Sequence, residues 1–275
     1  MIIVRIKTGL GSQMFQYAFA RFLSLKNKDS LILDVTSFTK NKPRDFALHH
    51  FNITGKIIRD TEEITHLLTT YPFRIVKDTD LRYHPAFMNL KGNIYLDGYW
   101  QSWRYFEPIR EIIASDFKFR SSPKSKNRKI LQEIRCHNSV CIHFRRGDHV
   151  HNPYVNKTHG VVPANYYEQA IAVIATKVKS PQFYVFSDDI EWVKQHFVLS
   201  SHPFRIVDIN DVRHPQEDLR LMTECKHHII ANSTLSWWGA WLAKSDGQIV
   251  CAPKRWFINP QFSSRDMIPQ NWIQI

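Results

Sequence analysis

Residues 143–150 read HFRRGDHV, and the first two of them close the apolar run SVCIHF. An apolar run that ends in a charged cluster is typical of a buried strand followed by a loop. In an open α/β sheet, ligands bind in the crevice at the carboxyl ends of the strands. Arg145 and Arg146 at such a position favour an anionic ligand, because a guanidinium matches phosphate oxygens with two donors and keeps its charge. The alternative is a surface ion-pair cluster in which Asp148 pairs with one arginine, but the position at a strand end favours a functional site.

The chain after residue 129 alternates regularly between strand and helix patterns. Apolar runs predict strands that end near His143, Ser187, Asp208, Asn232 and Pro253. Apolar residues at helical spacing predict helices over 164–178, 189–197, 216–224 and 234–243. Strands that alternate with helices predict a parallel sheet with crossover helices.

The amino terminus begins with the same strand-turn-helix order. Residues 2–6 predict a strand, Gly9 and Gly11 a turn, and the following apolar residues at helical spacing a helix. The next strand, LILD, ends at Asp34. This order predicts that the first half of the chain is also of the α/β class.

The middle of the chain is less regular. Residues 40–90 give no defined topology, and the strand NIYLDG and a helix over 105–114 follow them. The stretch 119–129 is polar and contains Pro123, which predicts a linker. We therefore expect two α/β domains.

The formal net charge of +12 is high for 275 residues and favours a phosphorylated substrate, nucleic acid or an anionic membrane surface. The basic residues are scattered apart from one dense run at 124–129. Because a continuous basic stripe and a known nucleic-acid-binding module are both missing from the sequence, we expect no nucleic-acid partner.

Cysteine spacing and hydropathy bear on the cellular compartment. The four cysteines lack CxxC spacing and predict small buried residues in a reducing compartment. The opening MIIVRIKTG has too short an apolar run for a signal peptide, and no segment has the length of a membrane span. We expect a cytoplasmic protein whose contact with the inner membrane, if any, is peripheral.

The amino-terminal turn is a second candidate site. A glycine-bearing turn with Gly9, Gly11 and Ser12 at a helix start presents backbone N–H groups to an anion, although the spacing is not GxGxxG. The alternative is a tight strand-to-helix connection. Gln13 and Gln16 lie off the apolar stripe of the helix, and two amides that face a cleft would suit sugar hydroxyls.

Two further strand ends carry polar residues. In FSDD, residues 186–189, a carboxylate can bind a guanine edge or a ribose hydroxyl, or Ser187 or Asp188 can cap the next helix. In the stretch 227–242, Asn232, Ser233 and Thr234 precede a helix with three tryptophans and could form a phosphate-binding turn or an ordinary cap. We expect Leu235, Trp238 and Leu242 in the core and one tryptophan at a cleft.

Metal ligation is poorly supported by the sequence. The acidic pair Asp78 and Asp80 lies between basic residues, which predicts a solvated turn. His149 and His151 have no companion cluster at ligand spacing. We expect neither a metal ion nor another cofactor.

Taken together, these segments resemble the α-1,2-fucosyltransferases, family 11 of the glycosyltransferases. GLGSQMFQYA at 9–18 is similar to the GGLGNQMFQYA-like opening of that family, HFRRGD at 143–148 to its HxRRGD motif, and IANSTLSWW at 230–238 to its IANSTxSWW segment. GYWQSWRYF at 98–106 and APKRWF at 252–257 also resemble family segments.

The resemblance implies a GT-B-like α/β fold, in which two Rossmann-like domains face a central cleft. It implies GDP-fucose as donor, an inverting reaction and no metal requirement. We expect an acceptor-side domain over 1–122, a GDP-fucose-binding domain over 123–255, and a carboxyl-terminal segment, 256–275, that packs back on the first domain.

The resemblance also implies residue roles. Arg145 would hold the pyrophosphate, His143 and either Asp188 or Asp189 the guanosine, and Ser233 and Thr234 the phosphates. Further donor contacts are expected from Arg146, Ser187, Asn232, Gly9, Gly11 and Ser12, and acceptor contacts from Gln13 and Gln16. Ser12 replaces the family's Asn. The base stays open between Asp34 and Asp148, and Asp148 could instead orient the arginines.

The leading hypothesis is transfer of L-fucose from GDP-fucose to the 2-hydroxyl of a galactose that ends an oligosaccharide or an O-antigen-like surface glycan. One alternative is a related transferase with a different acceptor. Another, favoured only by the charge, is a protein that binds a nucleotide-sugar or nucleic acid without catalysis.

Overall fold

The computed structural model describes residues 1–38 and 44–275 and divides into two compact units. Unit 1 comprises Met1–Ser121 and Arg265–Ile268, and unit 2 comprises Ser122–Ser264 and Pro269–Ile275. The division lies one residue before the expected boundary at 122. Within the expected carboxyl-terminal segment, 256–275, Arg265–Ile268 groups with unit 1 and the other residues group with unit 2.

Unit 1 is built on a five-stranded parallel sheet with the order β3-β2-β1-β5-β4. Its strands are β1 (Ile2–Arg5), β2 (Leu31–Asp34), β3 (Lys56–Ile58), β4 (Arg74–Lys77) and β5 (Ile94–Asp97). Its helices are α1 (Leu10–Asn27), α2 (Thr61–Thr70) and α3 (Arg110–Asp116), with 3₁₀ turns at Leu48–His50, Pro85–Asn89, Trp103–Tyr105 and Glu107–Ile109.

The sequence predicted β1, α1, β2 and β5, but not the middle of this unit. Residues 44–90, whose topology was not predicted, contain β3, α2 and β4, whereas residues 40–43 lie outside the described part of the chain. The helix expected over 105–114 begins only at Arg110, because Pro108 lies in a 3₁₀ turn before it and lacks the N–H that a continuous helix requires.

Unit 2 is built on a six-stranded parallel sheet with the order β11-β10-β9-β6-β7-β8. Its strands are β6 (Asn138–Phe144), β7 (Pro181–Ser187), β8 (Phe204–Ile206), β9 (His227–Ile229), β10 (Val250–Ala252) and β11 (Ile273–Gln274). Its helices are α4 (Ser125–Cys136), α5 (Gly147–His151), α6 (Pro153–His159), α7 (Ala164–Lys177), α8 (Ile190–His196), α9 (Pro215–Met222) and α10 (Thr234–Leu242).

Hydrophobic clusters cover both faces of the unit 2 sheet. On one face, β6 and β7 pack against α7 and α8, and on the other they pack against α4 and α9. Burial on both faces explains why β6 and β7 are continuous apolar runs rather than alternating ones. The expected linker over 119–129 is too long, because α4 begins at Ser125 and buries Asn127, Ile130, Leu131 and Ile134.

Two other expectations about the core need correction. In α10, Trp237, Trp238 and Trp241 are all buried, whereas Leu235 and Leu242 are only partly buried, so no tryptophan of this helix lines an open cleft. Three cysteines are buried as expected, but Cys136 is exposed at the end of α4. In the described ranges, no helix is both long and apolar enough to cross a bilayer.

Candidate active site

The strand order of unit 2 locates a crevice. From β6, the chain continues to β7 and β8 on one side and to β9, β10 and β11 on the other. The carboxyl ends of β6 and β9 therefore lie at the topological switch point, where open α/β sheets bind their ligands. Arg145 and Arg146 directly follow β6, and Asn232 and Ser233 follow β9.

The guanidinium of Arg145 is held between two carboxylates. Its Nη2 donates to Oδ1 of Asp148 at 2.5 Å, and its Nη1 lies 2.7 Å from Oδ2 of Asp188. The side chain of Arg145 is 18% exposed. Ion pairs at this degree of burial fix the direction of a guanidinium, and a guanidinium has further N–H donors that these two contacts do not use.

Arg146 is fixed by different contacts. Its backbone N–H donates to Oδ1 of Asp188 at 2.8 Å, and its Nε lies 3.2 Å from Oδ2 of Asp189. Its guanidinium also lies 3.6 Å from the centroid of the Trp192 ring, which is a close cation–π contact. The two neighbouring arginines therefore do not share a role: Arg145 bridges Asp148 of α5 and Asp188 at the end of β7, and Arg146 stacks on Trp192 of α8.

Asp188 lies against Gly147 so closely that a side chain there has no room. A Cβ on Gly147 would lie 2.4 Å from Oδ2 of Asp188. The glycine of the RRGD motif is therefore needed for the approach of this carboxylate to Arg145.

The N-cap of α8, the helix that follows β7, is not one of the residues expected from the sequence. Oδ1 of Asp189 accepts from the backbone N–H of Trp192, so the N-cap is Asp189 rather than Ser187 or Asp188. The Ser187 hydroxyl accepts from the N–H of Asp189 at 2.9 Å. Asp188 therefore does not cap α8, and its carboxylate contacts the Arg145 guanidinium and the backbone N–H of Arg146 instead.

His143 lies on β6 just before the arginines and is buried. Burial lowers its pKa to about 4, the charge of Asp188 opposes this shift, and Arg145 adds to it. The imidazole is therefore neutral at pH 7 and offers one donor and one acceptor. Its Nδ1 is buried and has no hydrogen-bond partner among the described residues.

A histidine pair beside this site was missed at the sequence level. The rings of His149 and His159 stack at 4.8 Å, and Nδ1 of His149 lies 3.1 Å from the Gly160 carbonyl oxygen. Burial and the charge of Arg145 lower the pKa of His149 to about 4. The pair depends on two short helices, α5 and α6, that no periodic signal predicted.

Asn232 lies at the end of β9 and joins this region to the carboxyl-terminal part of unit 2. Its Nδ2 donates to the carbonyl oxygens of His159 at 2.9 Å and Trp256 at 3.2 Å. Its Oδ1 is buried and, within residues 1–38 and 44–275, has no partner. Ser233 is the N-cap of α10, and its hydroxyl makes no capping bond to that helix. The expected phosphate contacts of Ser233 and Thr234 stay predictions.

A cavity of about 610 Å³ lies between α7 and α8 and reaches Arg145 and Arg146 at one end. Its walls are mainly apolar and include Phe144, Tyr167 and Trp192. Low polarity beside the arginines strengthens the ion pairs described above, since charges interact more strongly where water is scarce.

The remaining sequence-predicted residues belong to unit 1. Gly9 is the N-cap of α1 and Gly11 lies in its first turn, while Ser12 is partly exposed and its Oγ lies 3.4 Å from Nε2 of Gln101. The backbone of this turn takes a positive φ of 67° at Thr8, not at a glycine. Whether these residues contact a donor stays a prediction.

Gln13 and Gln16 are buried, which the sequence did not predict. Helix α1 buries 13 of its 18 residues, so the face that carries the two amides is also enclosed. Nε2 of Gln13 donates to the carbonyl oxygens of Thr8 and Asp45, and its Oε1 accepts from the N–H of Ala47. This geometry does not support Gln13 as an acceptor contact. Among the described residues, Nε2 of Gln16 has no hydrogen-bond partner.

Asp34 is similarly enclosed. Its carboxylate accepts from the Tyr95 hydroxyl at 2.6 Å and from the N–H and hydroxyl of Thr36. A carboxylate that is buried and occupied by three donors is poorly placed to take a proton from a sugar. This geometry speaks against Asp34 as the base, and Asp148 makes an ion pair that agrees with the alternative role of orienting Arg145.

Asp78 does not lie in a solvated turn, contrary to the expectation. Its carboxylate accepts backbone N–H groups from Leu81, Tyr99 and Trp100 and is largely buried, and burial raises its pKa. It therefore links the ends of β4 and β5.

Comparisons with known proteins agree with these observations. The sequence model described as Glycosyl transferase family 11 matches residues 1–275. An Escherichia coli alpha-1,2-colitosyltransferase is 32% identical over 100% of this chain and 99% of its own length. The E. coli O-antigen biosynthesis glycosyltransferase WbnK is 32% identical over 97% of this chain and 98% of its own length.

A similar solved structure is that of the alpha-1,6-fucosyltransferase NodZ from Bradyrhizobium, in a crystal soaked with GDP-fucose. It aligns with a TM-score of 0.52 and 15% identity over 88% of this chain and 92% of that one. This likeness, together with the two parallel-sheet units, confirms the expected GT-B fold. Because the family match covers the whole chain, this protein belongs to glycosyltransferase family 11.

Proposed function

We propose that this enzyme transfers L-fucose from GDP-fucose, with inversion, to the 2-hydroxyl of a galactose in an oligosaccharide or O-antigen-like surface glycan. The observation that carries the proposal is the position of Arg145, held by Asp148 and Asp188 at the switch point of unit 2. A guanidinium fixed there suits the diphosphate of a sugar nucleotide.

The chemistry requires stabilisation of a leaving diphosphate. The acceptor hydroxyl oxygen forms a bond to C1 of the sugar while the bond from C1 to the phosphate oxygen breaks, and its electron pair leaves with GDP. The transition state resembles an oxocarbenium ion, and negative charge grows on the diphosphate. A preoriented Arg145 stabilises that charge more than it stabilises the ground state. The hydroxyl proton goes to a base or to water.

The carboxylates around the arginines limit how the donor binds. Arg145 and Arg146 face three aspartates, so the site has no surplus of positive charge before the donor arrives. Asp148 is the most exposed of the three, with 36% of its side chain accessible, and lies on the short helix α5. We infer that the diphosphate competes with Asp148 for Arg145, whereas Asp188 keeps its contact.

The neutral state of His143 fits recognition of the nucleoside rather than of the phosphates. A neutral imidazole donates and accepts one hydrogen bond and adds no charge. Its Nδ1 and the Oδ1 of Asn232 are buried and have no hydrogen-bond partner in the part of the chain that the structure describes, so a ligand can satisfy them. Support for guanosine itself comes from the family resemblance.

We infer that the reaction needs no metal ion. The support is Arg145, whose guanidinium has N–H donors that its contact with Asp188 leaves available for a diphosphate. A second candidate for the transferred sugar is colitose, because a relative that is 32% identical is named an alpha-1,2-colitosyltransferase. Acceptors other than galactose are the third possibility, since the family resemblance is the main support for galactose.

We also infer that the enzyme works in the cytoplasm beside the inner membrane, as the name of its O-antigen relative suggests. The exposed start of α4 carries Lys124, Lys126, Arg128 and Lys129, which suits anionic lipid head groups. Sedimentation with vesicles that contain an anionic phospholipid, compared with neutral vesicles, tests this contact.

The enzymatic test uses the purified protein with GDP-fucose and methyl β-galactoside. Methyl 2-deoxy-β-galactoside is the matched control because it lacks only the proposed nucleophile, and one arm contains EDTA. We expect an α-1,2-linked product by NMR, none from the 2-deoxy compound, and the same rate with EDTA. Transfer only from GDP-colitose, or only to a sugar other than galactose, would overturn the corresponding part of the proposal.

A further inference from the structure

Unit 1 has a switch point of its own, and it lies between β1 and β5. The chain moves from β1 to β2 and β3 on one side, and β5 and β4 lie on the other side. β1 and β5 are parallel neighbours, with Val4 opposite Leu96. The crevice at the carboxyl ends of these two strands is therefore the place where this sheet is built to bind a ligand.

Two charged side chains close that crevice. Nζ of Lys7, two residues beyond β1, lies 2.6 Å from Oδ1 of Asp97, the last residue of β5. Both side chains are partly accessible, at 26% for Lys7 and 20% for Asp97. Arg5 contributes a weaker contact to Asp97 at 3.6 Å. The crevice thus contains donors and acceptors that solvent can reach.

Asp97 stays ionised in this setting. Partial burial works to raise its pKa, but the hydrogen bond and the charge of Lys7 outweigh it, so that the pKa lies below the usual value. At neutral pH the carboxylate is therefore an acceptor only.

An aromatic ring lies beside this ion pair. Nζ of Lys7 is 5.2 Å from the centroid of the Tyr99 ring. The backbone of Tyr99 is fixed by its N–H, which donates to Asp78, and by Gly98, where a Cβ would lie 2.4 Å from Cβ of Asp78. The close approach of the β4 and β5 ends thus sets the position of the ring.

The backbone around the crevice is strained at three positions that are not glycine. Thr8, Leu81 and Trp100 have positive φ values of 67°, 59° and 55°, and they follow β1, β4 and β5 respectively. Positive φ disfavours residues with a Cβ, and such residues concentrate at functional sites.

Two buried donors near the crevice lack partners in the part of the chain that the structure describes. They are Nε2 of Gln16 and Nε1 of Trp100. Gln16 lies at the strand end because its Oε1 accepts from the N–H of Lys7 at 2.9 Å. Buried donors are normally satisfied, so a donor without a protein partner points to a ligand or an ordered water.

We infer that the crevice between β1 and β5 holds a pyranose of the acceptor, with Asp97, Lys7 and Tyr99 as its contacts. Asp97 accepts from two neighbouring hydroxyls, Lys7 donates to a hydroxyl oxygen, and the Tyr99 ring packs against the C–H face of the sugar. The assignment rests on the proposed function, since it takes the ligand to be the sugar acceptor of the transferase.

The pairing of Lys7 with Asp97 favours a neutral sugar over a phosphate at this position, while Arg5 and Lys77 add positive charge around the carboxylate. A phosphate next to Lys7 would also lie next to the Asp97 carboxylate, which is 2.6 Å from the same Nζ and repels it. Sugar hydroxyls can donate to that carboxylate and accept from the ammonium at the same time.

The test compares Asp97→Asn with a matched control at the amino-terminal ends of the strands of the same sheet, away from the crevice. Asp29, just before β2, also forms a partly exposed ion pair, with the amino terminus at 3.3 Å. We expect Asp97→Asn to raise the KM for methyl β-galactoside at least tenfold and to leave the Kd for GDP unchanged, whereas Asp29→Asn changes neither. An unchanged KM in Asp97→Asn, or an equal loss of GDP affinity, would overturn the inference.

A binding measurement separates this inference from the proposed function. Saturation-transfer NMR detects binding of methyl β-galactoside to the wild-type protein without turnover. The result therefore does not depend on whether GDP-fucose is the donor. We expect the signal to disappear in Asp97→Asn and in Tyr99→Leu, a second variant that leaves the ion pair intact. A signal that persists in both variants would overturn the assignment.

Discussion

Oδ2 of Asp188 occupies the space that a Cβ on Gly147 would need, since the two would be 2.4 Å apart. The same oxygen lies 2.7 Å from Nη1 of Arg145. The glycine and the carboxylate, which are 41 positions apart in the chain, therefore determine together where the guanidinium points.

The first prediction concerns this contact. Gly147→Ala forces Asp188 away from Arg145, and we expect GDP affinity and kcat/KM to fall at least tenfold. The free energy of unfolding should fall by about 1–3 kcal/mol, as is usual when an atom is inserted into a close-packed site. Calorimetric titration with GDP and urea unfolding measure the two effects. Wild-type GDP affinity in the variant would show that Asp188 can move without consequence for the donor.

The second prediction concerns the guanidinium itself. Arg145→Lys retains a charge, but an ammonium cannot keep the contact with Asp188 and also bind a diphosphate with two parallel N–H donors. We expect kcat to fall about a hundredfold, which corresponds to roughly 3 kcal/mol of lost transition-state stabilisation. Steady-state kinetics at saturating donor tests this. Arg135→Lys is the control, since Arg135 is an exposed arginine of unit 2 that also pairs with a carboxylate. Similar kinetics for the two variants would argue against Arg145 at the leaving group.

The third prediction separates the two roles open to Asp148. If Asp148 orients Arg145, Asp148→Asn should lower kcat only about tenfold, because the amide oxygen still accepts from the guanidinium. The pH dependence of kcat should then be unchanged. A general base contributes about a hundredfold or more, and its loss removes the acidic limb of the profile. A pH profile without that limb in Asp148→Asn would therefore assign the base to this residue.

The sequence predicted the fold well where apolar runs are long and buried on both faces, as in β6 and β7. It failed where elements are short and lie at the surface of a unit. Helices α5 and α6 have five and seven residues, too few for a periodic signal, and β3 and α2 bury only one residue each. The boundary of the proposed linker was wrong because α4 begins with charged residues that look like a polar loop.

The site was predicted to the extent that residues follow strand ends directly. The pairing of β6 with β7 brings together the residues that follow the two strands, Arg145, Arg146, Asp188 and Asp189. Which carboxylate would pair with which arginine, and which would cap α8, depends on distances of a few ångströms. The burial of Gln13 was not predicted because most of α1 is enclosed, and a buried amide on such a helix can bond to its own chain.

The fourth prediction concerns pH and stability. The pKa values of His143 and His149 are lowered from 6.5 to about 4 in the folded protein, mainly by burial. Between these values the unfolded chain binds protons that the folded chain does not, so stability falls as the pH drops. The contribution is complete above pH 6.5, and we expect each histidine to account for about 3 kcal/mol lost by pH 4.

The measurement is the melting temperature of the full chain between pH 7.5 and 4. His149→Gln should flatten this dependence, because it removes one of the histidines whose pKa burial lowers. His151→Gln is the control, since His151 lies in the same helix and is exposed. An unchanged slope in His149→Gln would mean that His149 is protonated in the folded state.

The last prediction returns to Gln13, whose amide joins three backbone groups. Gln13→Ala leaves the carbonyl oxygens of Thr8 and Asp45 and the N–H of Ala47 without this partner. We expect a loss of about 2–4 kcal/mol in the free energy of unfolding, because buried polar groups left unpaired are costly. The KM for the galactoside, measured at low temperature where the variant is folded, should change less than threefold. The exposed Gln132→Ala is the control and should leave stability unchanged. A variant with normal stability and a raised acceptor KM would instead restore Gln13 to the acceptor site, which would require that the helix face carrying it can open to solvent.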